Sequence, residues 1–188
     1  MSKAASALSG ASFQGYVDVT EAGLRGMVTL RGDFKSAKLA TAVLKVAGCD
    51  IPSQGGIYLK RNRGVAWMSP DELLVLGPYA SAEKDAKTLS AALKGSHHLV
   101  ANVSDAGAVF TLGGANAREV LAKLSPADMS EAGFAKGQMR RSRLAQVPAA
   151  FWISGKDKID VVCYRSVGEY VFKLLSNGAT TGSQVGFI

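Results

Sequence analysis

Thr29-Leu30 followed by Gly32 returns 82 residues later as Thr111-Leu112 followed by Gly114, and Trp67-Met68-Ser69 returns 85 residues later as Trp152-Ile153-Ser154. A helix-like stretch follows each threonine copy. An alternating apolar run and a second helix-like stretch follow each tryptophan copy. A period of about 85 residues is too long for a solenoid unit. The expectation is therefore an old duplication in which two half-domains each bury an apolar face, together forming one compact unit.

Working outward from these anchors, residues 27–31 are branched and alternating and predict a strand. Residues 35–47 place Leu39, Val43, Leu44 and Ala47 at helical spacing, with Gly48 as a stop. Residues 57–59 and 65–68 read as strands, and Ser69-Pro70-Asp71 has the chemistry of a turn. Residues 73–76 then return as a hairpin partner, and Ser81 opens a helix running to about Lys94. The second copy predicts a strand over 103–112, a helix over 117–124, strands over 149–153 and 158–164, and a last helix capped by Ser166. Each half thus reads strand, helix, strand, strand, helix, an α+β fold of ferredoxin-like type. The boundaries expected are an N-terminal arm at 1–26, where no periodicity is sustained, a first repeat at 27–100 and a second at 101–188.

With 47% apolar and 20% charged residues the chain falls among ordinary globular proteins and outside the disordered class. No apolar stretch approaches the roughly 20 residues of a membrane span, and the opening residues do not read as a secretory signal. A soluble, cytoplasmic protein with no membrane association is expected. Cys49 and Cys163 belong to no metal or redox spacing and read as free thiols. The formal charge of +7 favours anionic surroundings: nucleic acid, membrane surface or an acidic partner subunit.

No residue pattern points to catalysis, cofactor binding or metal. His97 and His98, the only histidines, are adjacent, so on a strand they face opposite ways. Gly113-Gly114 lacks the G-x-G-x-x-G spacing and any Walker lysine. Asp71-Glu72 flanks a turn. Asp157 and Asp160 fall on opposite phases of a strand, which makes a shared acid/base site improbable. Basic side chains gather at Lys60, Arg61 and Arg63, and again at Lys136, Arg140, Arg141 and Arg143, each group preceding the tryptophan strand of its copy. Lys60, Arg61, Arg63, Arg140, Arg141 and Arg143 are the partner-interface candidates. No nucleic acid is expected as a partner, since the aromatic strand motif of ferredoxin-like RNA binders is missing.

Several segments, in order, resemble the gamma subunit family of heterotetrameric sarcosine oxidase. They are GMVTLRGD at 26–33, AWMSPDELLVLGP at 66–78, VSD at 103–105 leading to AREVLAK at 117–123, then Asp128, Phe134, Gly137, Leu144-Ala145, Val147-Pro148 and Trp152. That family is in turn similar to the folate-binding part of the glycine-cleavage T-protein. Here Asp105 stands where the T-protein motif V-S-H has histidine, and residues 145–148 replace the loop that holds its paired aspartates. The resemblance implies a T-protein-like fold and a non-catalytic structural subunit of a complex oxidising sarcosine to glycine with tetrahydrofolate and oxygen. It implies alpha, beta and delta subunits as partners, with FAD, FMN, NAD, tetrahydrofolate and zinc carried on those other chains. The alternatives are a folate-binding one-carbon-transfer module and a basic RNA-binding α+β domain.

Overall fold

The computed structural model describes residues 4–186. In chain order its elements are β1 (Ser12–Phe13), β2 (Asp18–Glu21), β3 (Arg25–Arg31), α1 (Ala37–Ala47), β4 (Ile57–Lys60), β5 (Arg63–Ser69), β6 (Glu72–Pro78), α2 (Ala82–Leu93), β7 (Leu99–Asn102), β8 (Gly107–Gly113), α3 (Ala117–Leu124), β9 (Met139–Leu144), β10 (Val147–Gly155), β11 (Lys158–Tyr164) and α4 (Gly168–Gly178). They form a mixed α+β protein of two compact units. One takes the chain up to Gly23 and from Ala106 onward, and the other is Leu24–Asp105.

In the Leu24–Asp105 unit the sheet order is β4-β5-β6-β3-β7, every neighbouring pair antiparallel. Alternation sends Val28, Leu30, Val65, Leu73 and Val75 to the face covered by the helices, where they meet Leu39 and Val43 of α1 and Leu89 and Leu93 of α2. The opposite face is buried too, at Met27, Ala66, Leu74 and Leu76, which is why residues 73–76 read as a continuous apolar run. Helix α1 forms where its ends are chemically marked. The Ser36 side chain accepts from the Leu39 amide, and Gly48, at φ 72°, donates its N–H to the Leu44 carbonyl.

In the other unit the order is β1-β2-β8-β11-β10-β9, again antiparallel throughout. Phe110, Leu112, Phe151, Ile159 and Val161 face Val120 and Leu121 of α3 and Val171 and Leu175 of α4. The segment expected as an arm differs from that expectation: it supplies β1 and β2, with β2 beside β8 and Val17 and Val19 in the core. Its strands are two and four residues long, too short for alternation to register in the sequence. The single strand expected over 103–112 is also interrupted. Leu99–Asn102 pairs with β3, and the chain turns at Ser104, whose buried hydroxyl accepts from the Met27 amide at 2.9 Å, before β8 begins. Ser81 holds the N-cap position of α2 without a side-chain capping bond, its hydroxyl hydrogen-bonding Asp85 instead, and Ser166 lies within a 3-10 turn and caps no helix.

Strand registers locate the sequence echoes. Thr29 lies opposite Leu74 of β6, and Thr111 opposite Asp160 of β11, at corresponding points of the two sheets. The tryptophans do not correspond. Trp67 pairs with Leu73 just before the bulge of its hairpin, the place that Ile153, paired with Ile159, holds in the other sheet. Trp152 pairs with Asp160, one residue out of step. A one-residue slip reverses the face. Trp67 therefore points to the helix side of its sheet and is half-buried, while Trp152 is 2% exposed on the side away from its helices.

Candidate functional site

The two basic groups divide into members that hold the fold and members that project. Arg63, on β5, reaches back over α1 and α2, donating to the Val46 carbonyl at 3.0 Å and pairing with the Asp85 carboxylate at 2.8 Å. Lys60 donates to the Gly48 carbonyl at 3.0 Å. Two cations thus sit at the negative end of α1. Arg61, in the left-handed turn position at φ 57°, is exposed.

Arg140 lies on the helix side of β9. It donates to Gln138 and to the Gly133 carbonyl, and its guanidinium stands 5.9 Å from the Phe134 ring centroid. Arg118 approaches the same ring at 5.5 Å and donates to the Met129 and Ser130 carbonyls. Phe134 in turn packs edge-on against Phe151 at 5.8 Å. These contacts pin the long connection between α3 and β9. Arg141 and Arg143 occupy the opposite phase of β9 and are exposed, as is Lys136.

The remaining candidates serve local geometry. Nδ1 of His98 lies 2.8 Å from the Ser96 carbonyl, and His97 is exposed. Gly114, at φ 134°, donates to the Asp157 carbonyl, closing a turn. Asp71 accepts from the Ser69 hydroxyl and pairs with Arg31, and these two partners hold its carboxyl below the usual range. Asp157 occupies a tight turn at φ 52°. Asp160 is buried and accepts from the Thr111 and Ser154 hydroxyls, each at 2.9 Å. Both cysteines are free thiols, and burial pushes Cys163 up to about 11. Among the described residues no group of three or more His, Cys, Asp or Glu side chains is placed to hold a metal ion, and no helix is long and apolar enough to cross a membrane.

The polar residues that the sequence did not single out anchor both ends of the chain. Buried Glu21 accepts from the amides of Leu8 at 2.9 Å and Gly10 at 2.6 Å and from the Ser6 hydroxyl. Burial alone would raise its carboxyl. The bonds from Gly10, Leu8 and Ser6 outweigh that and leave it below the ordinary value. Buried Glu119 accepts from the Val185 amide at 2.7 Å, while Lys123 donates to the Gly178 and Ser183 carbonyls and lies 5.0 Å from the Tyr16 ring. No motif marks these residues. The one local signal is a carboxylate at an inward phase, as at Glu21 two positions after Val19.

A family model described as the sarcosine oxidase gamma subunit family matches residues 31–181. The sarcosine oxidase subunit gamma of an Arthrobacter species is 32% identical over 133 residues, covering 70% of this chain and 63% of that relative. The chain thus spans less than two thirds of the Arthrobacter protein's length. The corresponding subunit of Corynebacterium sp. (strain P-1) is 31% identical over 154 residues, 81% of this chain and 74% of that one. Among solved structures, a chain of the heterotetrameric sarcosine oxidase from Corynebacterium sp. U-96, in complex with pyrrole 2-carboxylate, shares the fold with a TM-score of 0.80 at 24% identity, over 89% of this chain and 87% of that chain. The glycine cleavage system aminomethyltransferase T from Bartonella henselae shares it with a TM-score of 0.61 at 15% identity, over 84% of this chain and 44% of that chain. The chain belongs to the sarcosine oxidase gamma subunit family.

Proposed function

We propose that this family member is a non-catalytic structural subunit of a sarcosine oxidase complex, with alpha, beta and delta subunits as partners in the cytoplasm. The complex would oxidise sarcosine to glycine with tetrahydrofolate and oxygen as co-substrates, and FAD, FMN, NAD, tetrahydrofolate and zinc would reside on the other subunits. The observation that carries this reading is what the buried carboxylates do. Glu21, Glu119 and Asp160 each direct their oxygens at amides or hydroxyls of their own chain. A general acid or base has to face a substrate within hydrogen-bond reach, whereas these groups stabilise chain ends and strand contacts.

Of the basic residues, Lys60, Arg61, Arg63, Arg140, Arg141 and Arg143 are assigned to the partner-facing surface. Arg63 and Arg140 shape the loops beside which Arg61, Arg141 and Arg143 project. We also propose that the two units descend from one duplicated half-domain of ferredoxin-like type, behaving as one compact unit. Supporting this are the common strand order, β4-β5-β6-β3-β7 against β9-β10-β11-β8-β2, and the left-handed hairpin residues Arg61 and Ala145 at matching turns.

The test is to assay sarcosine-dependent hydrogen peroxide formation by the purified chain, by the other co-expressed subunits, and by all together. The expected result is none from the chain alone, with activity recovered only in assemblies that contain it. Turnover by the chain alone, with sarcosine or with a folate one-carbon donor, would overturn the reading.

A further inference from the structure

We infer that the outer edge of β7 takes up one extended, acidic segment of a partner protein as an added antiparallel strand, seated in the groove between β7 and α2. The inference rests on the subunit reading and specifies one binding site for it.

The two sheets, matched strand for strand, end differently at one edge. Along β4-β5-β6-β3-β7 and β9-β10-β11-β8-β2 they run in step, with β4 and β9 both at the limit of their sheets. At the other limit β1 lies outside β2, whereas nothing among the described residues pairs with the outer side of β7. The match holds down to single hydrogen bonds. Val103, just past β7, donates to the Met27 carbonyl at 2.9 Å, and Ala22, just past β2, donates to the Val109 carbonyl at 2.8 Å. Counting back from these, Ala101 lies opposite Thr29 as Thr20 lies opposite Thr111, and Val100 lies opposite Leu30 as Val19 lies opposite Leu112. Val100 is thus the counterpart of Val19, whose outer neighbour is Phe13 of β1.

Pairs in an antiparallel ladder alternate between exchanging hydrogen bonds and leaving them to the far side. Because Val103 bonds Met27, Ala101 and Leu99 exchange their bonds with β3, and the N–H and C=O of Val100 point away from the sheet. The same alternation turns the Val19 groups outward, toward Phe13. With β1 in place Val19 is fully buried; Val100 is left half-buried, and Leu99 beside it is 51% exposed. Sheets guard such an edge with charge, proline, a bulge or shortness. Leu99-Val100-Ala101-Asn102 carries no charge and no proline, its register with β3 is unbroken, and shortness is its one guard.

Charge complementarity fixes the occupant. Lys87, Ser90, Ala91 and Lys94, three and four residues apart on α2, line an open groove of about 420 Å³ together with Gly95 and His98, the residue just ahead of β7. No carboxylate lines it. The Lys94 ammonium has no ion-pair partner among the described residues, and Lys38 brings a further ammonium to the Lys94 carbonyl at 2.7 Å. Lys87 has an exposed i,i+4 pair with Glu83 at 3.2 Å, a contact weak enough to be exchanged. Val100 packs toward the helices, so the residue opposite it on an added strand would project to the same side. The complementary segment therefore carries an apolar residue opposite Val100 and carboxylates beside it, with main-chain bonds to β7 holding its register. A nucleic-acid backbone offers phosphates to the lysines but no amide donors to meet the Val100 carbonyl.

The experiment is residue-resolved hydrogen exchange on the full-length chain, alone and co-purified with the sarcosine oxidase subunits of its own genome. In the free chain the Val100 amide should exchange rapidly beside a protected Ala101 amide, and in the assembly it should slow by at least about tenfold. The double variant Lys87→Glu/Lys94→Glu, at exposed α2 positions, should lose that protection and weaken association about tenfold. Lys156→Glu/Lys158→Glu, an equal charge reversal at exposed positions of the β10–β11 hairpin, should match wild type, with melting temperatures confirming that both variants fold. Assembly with Val100 exchange unchanged would refute strand addition while the subunit reading stands. Failure of the wild-type chain to assemble would refute both. Equal weakening by the two double variants would reduce the effect to net charge and remove the groove from the account. Val100 protection that grows with the concentration of the isolated chain, alongside a dimer in native mass spectrometry, would assign the edge to a second copy and overturn the inference.

Discussion

At the residue scale, burial and phase decide what each conspicuous side chain does. Trp152 is almost fully buried and Trp67 only half-buried, because their strands are one residue out of step. Replacing Trp152 by Ala should therefore cost about 3–5 kcal/mol through lost burial and the cavity left behind, and Trp67→Ala distinctly less. Urea unfolding of the two variants measures the difference, and equal losses would contradict the register. Cys163, held as a thiol by its burial, should resist alkylation at pH 8 in the folded protein and react only after denaturation. Mass spectrometry of the labelled chain reads this directly. Glu21 gives a pH dependence of definite sign. Its folded pKa lies below the ordinary 4.5, so the stability it adds is fully present above that value and is lost as pH falls through the lower folded value. Hydrogen exchange of the Leu8 and Gly10 amides should rise in that acid range, relative to intrinsic rates, and Glu21→Gln should remove the transition.

At the element scale, helices with chemically marked ends were readable from sequence and short strands were not. Helix α1 ends at Gly48, as its left-handed φ of 72° requires of a residue that bears no Cβ penalty. Gly48→Ala meets nothing closer than the Lys60 side chain at 3.7 Å, so only backbone strain opposes it. Thermal unfolding should report a loss of about 1–2 kcal/mol. The strands over 27–31, 65–68, 73–76 and 158–164 were legible because branched residues alternate or run continuously there. Strands β1, β2 and β7 were not, being two to four residues long and ordered by their neighbours in the sheet. Strand β9 escaped for another reason: in Met139-Arg140-Arg141-Ser142-Arg143-Leu144 the inward positions Arg140 and Ser142 are polar, Arg140 lying against the Phe134 ring and Ser142 hydrogen-bonding Ser125 at the end of α3. The basic clusters are visible as groups in the sequence, yet phase within the strand separates Arg140, which stacks on Phe134, from Arg141 and Arg143, and no composition argument sees that.

At the scale of the whole molecule, one unit is continuous in sequence and the other is assembled from both ends of the chain. The N-terminal strand β2 completes the sheet that begins again at β8, and Glu21, Glu119 and Lys123 fasten the flanking segments. Trimming residues 1–23 should therefore expose the β8 edge and lower the melting temperature, in contrast to removal of a free arm. The family resemblance was legible from ordered segments across the chain, while the pairing of β2 with β8, which joins the two ends of the chain in one sheet, emerges only from the fold. The central claim, that the chain is an integral structural subunit, is tested most directly by native mass spectrometry of the complex purified through a tag on another subunit. The predicted result is one copy of this 19.6 kDa chain in a defined assembly. An active assembly of the other subunits that never contains the chain would contradict the account.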